Sequence, residues 1–396
     1  MLTPPAAPAN AGPPAGWHPD PLHPGGWRWW DGRAWTAHAS RPADAAAARR
    51  KPRLPRWLSV PVVICAPLVA LLVGVLAFVA PISVVAGVVP LVIVLPALAW
   101  LDRVEPEPTS SRIHAVLWGA SVAIVVALIV NVSVAGAAGT TIAAVVSAPL
   151  IEEAMKGLGI VWAVRRGEVD GVTDGVVFAG WAAIGFAAVE DVTYFADTES
   201  PAQLLLVFVL RAVLTPFAHP LFTMWIGLAI GRAVRDGRPL WPHALWGYAA
   251  AVAAHALWNG SLALAAPDPD TGEGGLGAGV LLVVLPLFIA LFVAVVVVLV
   301  RMRREEQRRF VAQWPFLVQR YGLGPDERQL FVDWHRMLDA RKRLPRRQRR
   351  HFDAMRASLW RLSMLHQRLV ADPDKERVLV AQLDTHRERL GLAPAS

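Results

Sequence analysis

Eight apolar runs limit how this chain can fold: roughly residues 60–80, 82–101, 113–135, 141–164, 174–196, 203–231, 242–265 and 278–300. About 20 residues of helix cross the ~30 Å hydrocarbon layer of a bilayer, and in lipid a backbone must satisfy its hydrogen bonds internally. Eight such runs predict an all-α polytopic membrane protein with about eight transmembrane helices. With 55% hydrophobic and 18% charged residues among 396, the composition excludes an ordinary soluble domain. The single cysteine, Cys65, excludes an intrachain disulfide framework or a thiolate metal cluster. Only Pro81 separates the first two runs, and the sixth, which holds Pro216 and Pro220, is expected to be kinked.

The loops orient the bundle. With a cytoplasmic N-terminus, the inner loops are "RRKPRLPR", "DRVEPEPTSSR", "RRGEVDGVTD", "GRAVRDGRP" and "RMRREEQRR", and each carries Lys or Arg. The outer loops "AGAAG", "ADTESPA" and "PDPDTGEGG" carry neither. The positive-inside rule then predicts a multi-pass protein of the cell membrane with both termini cytoplasmic. The first residues, "MLTPPAAPANAGPP", lack a charged n-region and an apolar h-region, so no cleavable signal peptide is expected.

Polar pieces flank a membrane core at 57–301. Residues 15–38 hold five tryptophans, Pro turns and an Asp-Gly pair, which predict a small N-terminal β module with an aromatic face. Residues 39–56, rich in Ala, Pro and Arg, read as a linker. In residues 302–396 apolar side chains recur at helical spacing: Leu330, Trp334, Met337 and Leu338, then Met355, Leu359, Leu362 and Leu365. A helical cytoplasmic tail is expected there. Residues 301–396 carry 22 Lys/Arg against 12 Asp/Glu, so the basic excess of the chain belongs to this tail. Its densest run, "RKRLPRRQRR" at 341–350, predicts contact with anionic lipid headgroups. No nucleic-acid partner is expected.

Ionisable groups at membrane depth cost on the order of 3 kcal/mol or more each, which makes them functional candidates. Four of the last five runs hold such groups near mid-depth. The fourth has Glu152 and Glu153 with Lys156 at i+4 and i+3, so one ammonium serves two carboxylates. The fifth has a stripe of Ala179, Ala183 and Ala187 leading to Asp191, with Glu190 beside it. In the sixth, Arg211, Thr215, His219 and Thr223 recur every four residues. The seventh pairs His255 with Asn259 at i+4, while His243 lies near the inner surface as an interfacial residue. Acids on two runs and histidines on two others predict one shared polar site.

Two hydrolytic chemistries suit such a site. Histidines and a glutamate can hold Zn²⁺ while a second glutamate takes a proton from the water. Without metal, a glutamate and a histidine can activate water while His255 and Asn259 donate hydrogen bonds to the oxyanion. An H-E-x-x-H pattern and a G-x-S-x-G elbow are both absent, and Ser147 has no evident base, so zincin and serine mechanisms are not supported.

"EEAMK" at 152–156, "GFAAVE" at 185–190, "HPLFT" at 219–223 and "HALWN" at 255–259 resemble, in order, the motifs of the PrsW-type intramembrane metalloproteases, relatives of the CAAX-processing prenyl-protein proteases. The N-terminal "GWHPDP" and "RWWDGRAWTAH" resemble a short tryptophan-rich domain of unknown function. The first resemblance implies cleavage of a single-pass membrane substrate, such as an anti-sigma-type regulator. It maps the paired glutamates and lysine of the first motif to Glu152, Glu153 and Lys156, the second motif's acid to Glu190 and the two histidines to His219 and His255. With Asn259 from the oxyanion reading above, the expected catalytic residues are Glu152, Glu153, Lys156 and Asn259, and the expected metal ligands Glu190, His219 and His255. Prenyl-protease relatives carry His and Arg where this chain has Glu190 and Lys156, so metal and metal-free chemistry both stay open. The rival readings are a transporter or proton-relay protein, and an inactive membrane scaffold.

Overall fold

The computed structural model describes residues 16–19, 21, 27–30, 33–40, 58–103, 107–265, 275–277, 279–323, 333–366 and 373–392. Most of the expected 39–56 linker, the outer loop at 267–274 and Leu330 lie outside the described residues. The chain divides into two units, Pro52–Arg308 and a second that joins Met1–Lys51 with Arg309–Ser396.

The first unit is helical. Its elements are α1 (Val60–Val79), α2 (Pro81–Leu101), α3 (Thr109–Ala138), α4 (Ala148–Arg165), α5 (Val172–Ala196), α6 (Pro201–Phe208), α7 (Ala218–Arg235), α8 (Leu240–Ala265) and α9 (Gly279–Tyr321). Among the described residues six stretches are long and apolar enough to cross a membrane: α1, α2, α3, α5, Pro201–Arg235 and Leu282–Tyr321. α4 and α8 are helices at the fourth and seventh expected runs but fall outside that set. α4 holds Glu152, Glu153, Lys156 and Arg165, and α8 holds His243, His255, Asn259 and three tryptophans. Two of the helices that carry the site chemistry are thus the ones whose apolar character it dilutes.

α5 lies at the centre because its small side chains let neighbours approach. Ala179 and Ala183 have no exposed surface. A Cβ on Gly175 would lie 2.1 Å from the carbonyl oxygen of Gly227, and a Cβ on Gly227 would lie 2.1 Å from that of Gly175. The backbones of α5 and α7 are therefore in direct contact, the arrangement that small residues permit between membrane helices. Phe178, Ile184, Leu221 and Met224 fill the space around that crossing.

The sixth run is interrupted more sharply than a kink. After α6 comes a π turn, Val209–Leu214, and residues 215–217 leave the helix before α7 begins. Pro216 and Pro220 lack the N–H groups that a continuous helix would need there. Thr215 compensates locally, because its backbone N–H and its hydroxyl both donate to the Leu210 carbonyl, at 3.0 and 2.7 Å.

In the second unit three short strands, β1 (Gly16–Pro19), β2 (Trp27–Trp30) and β3 (Trp35–Ser40), pair antiparallel in the order β1-β2-β3. Trp30 and Trp35 meet edge-to-face with ring centroids 5.2 Å apart. The end of α9 packs with α10 (Trp334–Arg343), α11 (Arg346–His366) and α12 (Pro373–Arg389). Their core contains Trp314, Leu317, Met337, Met355, Leu359, Leu362 and Leu383, so the apolar spacing read at 355–365 marks a buried helix face. In this core Tyr321 donates its hydroxyl to Glu376 at 2.9 Å.

Candidate active site

Six of the seven side chains predicted for the site come together. Glu152, Glu153 and Lys156 project from α4, Glu190 from α5, His219 from α7 and His255 from α8. Lys156 and Glu153 have no exposed surface, and Glu152, His219 and His255 are buried. A cavity of about 800 Å³ reaches this cluster and is lined by Glu152, Glu190, His219, His255 and Asn259 among others. Glu153 and Lys156 are not part of that lining.

The two glutamates differ in surroundings. Glu153 accepts from Lys156 Nζ at 2.7 Å, from the Thr223 hydroxyl at 2.7 Å and from His255 Nδ1 at 3.1 Å. Both of its oxygens are engaged, and it braces the helices rather than facing the cavity. Glu152 Oε2 is buried and makes no hydrogen bond among the described residues. That oxygen lies 3.6 Å from Lys156 Nζ and 4.0 Å from His255 Nε2. Leaving a buried carboxylate oxygen unbonded is costly, so Glu152 is the carboxylate with capacity for a ligand.

The histidines are oriented by their second nitrogens. His255 Nδ1 faces Glu153, which makes it the protonated nitrogen and leaves Nε2 toward Glu152. The ring also stacks on Phe222 with centroids 4.6 Å apart. His219 Nε2 donates to Glu190 Oε2 at 2.9 Å, and His219 Nδ1 accepts from Lys156 at 3.1 Å. Glu190 Oε2 also accepts from Arg211, whose Nε is held by Asp191. Both bonds of Glu190 thus fall on one oxygen. Arg211 lies over the Tyr194 ring at 4.1 Å.

One donor atom from each of Glu152, His219 and His255 lies within 4.8 Å of the other two, a spacing that could hold a metal ion. This trio is not the one expected from sequence, which had Glu190 in place of Glu152. Glu190 is instead engaged by Arg211 and His219. Asn259 lies on the cavity wall, but its amide donates to the Ala144 carbonyl at 2.8 Å. His243 accepts no role here and bonds the Pro239 carbonyl at 2.9 Å.

The Asn259 contact has a covalent origin. Residues Ala143–Ser147 form a π turn, in which Ala148 N–H donates to Ala143 O rather than to Ala144 O. The next residue, Pro149, has no N–H to offer. Ala144 O therefore lacks a backbone donor, and Asn259 supplies one. Asn131 was not singled out by sequence, yet it lines the same cavity and donates to Glu152 Oε1 at 3.5 Å. Its only sequence signal was an amide inside an otherwise apolar run.

Residues 15–48 match the model of a family described as "Protein of unknown function (DUF2510)". No curated protein and no solved structure matches the chain significantly. Residues 107–309, just over half of the chain and all of the site, match the model of the PrsW family of intramembrane metalloproteases. With its carboxylates and histidines gathered in one buried cluster inside that span, the chain belongs to this PrsW family.

Proposed function

We propose that the chain is an intramembrane endopeptidase whose site is built from Glu152, His219, His255 and Glu190, with α4 and α8 completing eight crossings and both termini cytoplasmic. The observation that carries this reading is the convergence of Glu152, His219 and His255 donors within 4.8 Å at a cavity large enough for a peptide segment.

The residues fit a divalent metal once Lys156 gives up its bond to His219 Nδ1, the ring nitrogen that does not face Glu190. One oxygen and two imidazole nitrogens form the donor set of hydrolytic zinc sites. The unbonded Glu152 Oε2 needs a partner. Glu153 behind His255 is the carboxylate that orients a ligating imidazole. Formal charges point the same way: Glu152, Glu153, Glu190 and Asp191 face only Lys156 and Arg211, which leaves two negative charges at membrane depth. Zn²⁺ held by Glu152, His219 and His255 would supply Lewis acidity toward a carbonyl and a more acidic water.

The chain's own groups do the rest. Glu190, whose Oε1 has no donor among the described residues, accepts the proton of the attacking water and returns it to the departing amine. The second amide N–H of Asn259 donates to the scissile carbonyl oxygen. Lys156 and Thr223 hold Glu153, and Glu153 holds His255. The substrate is a single-pass membrane protein, of the anti-sigma regulator type, whose segment reaches the cavity beside the break at 215–217. Basic tail residues hold anionic lipid headgroups.

One observation favours a second reading. Lys156 Nζ already bonds His219 Nδ1 at 3.1 Å and lies 3.6 Å from Glu152 Oε2, so its ammonium can serve as the cation of a metal-free site. The experiment is release of a fragment from a single-pass reporter in proteoliposomes. Glu152→Gln, His219→Ala and His255→Ala are expected to lower release at least about a hundredfold. Parental release by all three would remove the catalytic reading.

A further inference from the structure

Glu152 is oriented from behind by two residues that the chemistry above does not use. Ser147 donates its hydroxyl to Asn131 Oδ1 at 2.8 Å, and Asn131 Nδ2 reaches Glu152 Oε1 at 3.5 Å. The carboxylate only accepts, so it takes the Nδ2 end of the amide, and the Ser147 hydroxyl donates to the Oδ1 left on the other side and holds the amide in that orientation. With Oε1 facing Asn131, Oε2 is the oxygen left toward His255 and Lys156. The three residues come from separate backbone settings: Asn131 from α3, Ser147 from the π turn, and Glu152 from α4.

Ser147 is the last residue of the π turn. Pro149 removes an N–H two residues after it, the Ala148 bond shifts back to Ala143 O, and Asn259 closes the gap at Ala144 O. The same irregularity therefore uses one residue of the active-site helix α8 and positions another on the path to Glu152. Ser147 is buried and immediately precedes the helix that carries Glu152 and Lys156.

We infer that Ser147 and Asn131 form a positioning relay for Glu152, setting which of its oxygens faces the reacting centre. This rests on the reading that Glu152 takes part in the chemistry, whether as metal ligand or as base. Misplacing a reacting group by about 1 Å costs on the order of a hundredfold in rate. The relay acts on orientation, and Ser147 is not part of the cavity lining, so the loss on changing Ser147 belongs in kcat.

The test is fragment release from the single-pass reporter by the full chain in proteoliposomes, at several substrate densities. Asn131→Leu and Ser147→Ala are each expected to lower kcat about tenfold, with KM unchanged for Ser147→Ala, which leaves the cavity lining as it is. Ser147→Thr, which keeps the hydroxyl, retains kcat within about twofold. The Ser147→Ala/Asn131→Leu double variant is no slower than Asn131→Leu alone, because both act through one carboxylate. Asn131→Leu and Ser147→Ala both at parental kcat overturn the relay, as does a raised KM with kcat unchanged. So does a double variant whose losses multiply. Glu152→Gln run beside them separates the two failures: parental release by that variant removes the role of Glu152 itself. An inactive Glu152→Gln with parental Asn131→Leu and Ser147→Ala removes only the relay.

Discussion

Lys156 Nζ lies 2.7 Å from Glu153 Oε1 and 3.6 Å from Glu152 Oε2, so the ammonium is bonded to Glu153 and only near Glu152. Adjacent carboxylates on one helix thereby become different in kind. Glu153, with three donors, ties α4 to α7 through Thr223 and to α8 through His255. Glu152 faces the cavity with an oxygen to spare.

Removing the lysine alone should therefore be worse than removing the pair. Lys156→Met leaves Glu153 charged and buried, a loss on the order of 3–5 kcal/mol for a broken interior ion pair. The Glu153→Gln/Lys156→Met double variant keeps hydrogen bonds to Thr223 and His255 and removes the Glu153 charge that the single variant leaves unpaired. The expected order of thermal stability in detergent is parent, then double variant, then Lys156→Met. A single variant as stable as the parent would falsify the brace.

Metal removal discriminates the two catalytic readings. Purified active protein is expected to hold about one divalent ion per chain and to lose fragment release on chelation, with recovery on adding Zn²⁺. Glu152→Gln and His255→Ala should weaken metal retention at least about tenfold in chelator competition. Full release by protein shown to be metal-free supports Lys156 as the site's cation instead.

Much of this was legible before any coordinates, for a physical reason. Charged groups in apolar runs have few explanations, so Glu152, Glu153, Lys156, Glu190, His219 and His255 announced themselves together. Roles were not legible, because spacing along one helix cannot say which carboxylate another helix covers. Sequence gave Glu190 to the metal and left Glu152 and Glu153 equivalent. Thr223 and His255 from other helices break that symmetry in the fold, and Arg211 engages Glu190. Asn131 and the π turn at 143–147 escaped altogether: a neutral amide in an apolar run carries little cost, and a π turn has no period to read.

Asp102 gives the stability a pH dependence. It caps α2 outside the membrane-spanning stretch, is 4% exposed, and accepts from the Glu107 N–H at 3.1 and 3.2 Å with Arg112 3.7 Å away. Burial pushes its carboxyl up from 3.8 to about 7, against the lowering effects of the Glu107 bond and of Arg112. The folded state then holds a proton that the unfolded state has released, so this contribution is complete below pH 3.8 and lost as pH rises to about 7. Asp102→Asn should leave acid stability nearly unchanged and raise stability above neutrality, by up to a few kcal/mol. Melting curves of both proteins from acid to mildly alkaline pH should diverge as pH rises and run parallel beyond about 7. A constant gap across the range would show that Asp102 does not titrate there.

The basic run at 341–350 makes the last prediction, because its charges are not equivalent. Arg341 is held by Asp353 at 2.7 Å, and Arg349 donates to the Leu344 and Lys342 carbonyls at 3.0 and 2.9 Å. Those two arginines shape the junction between α10 and α11. Lys342, Arg343, Arg346, Arg347 and Arg350 are exposed, and these are the residues available to phosphates. Each near an anionic surface contributes on the order of 1 kcal/mol, screened by salt. In nanodiscs containing phosphatidylglycerol, trypsin should cut within 341–350 more slowly than in phosphatidylcholine nanodiscs, and high salt should abolish the difference. Replacing the five exposed residues by Gln, with Arg341 and Arg349 kept, should remove the lipid dependence of backbone amide exchange in α11 without unfolding the tail. Equal cleavage in both lipids at low salt would leave the run as a solvated helix face.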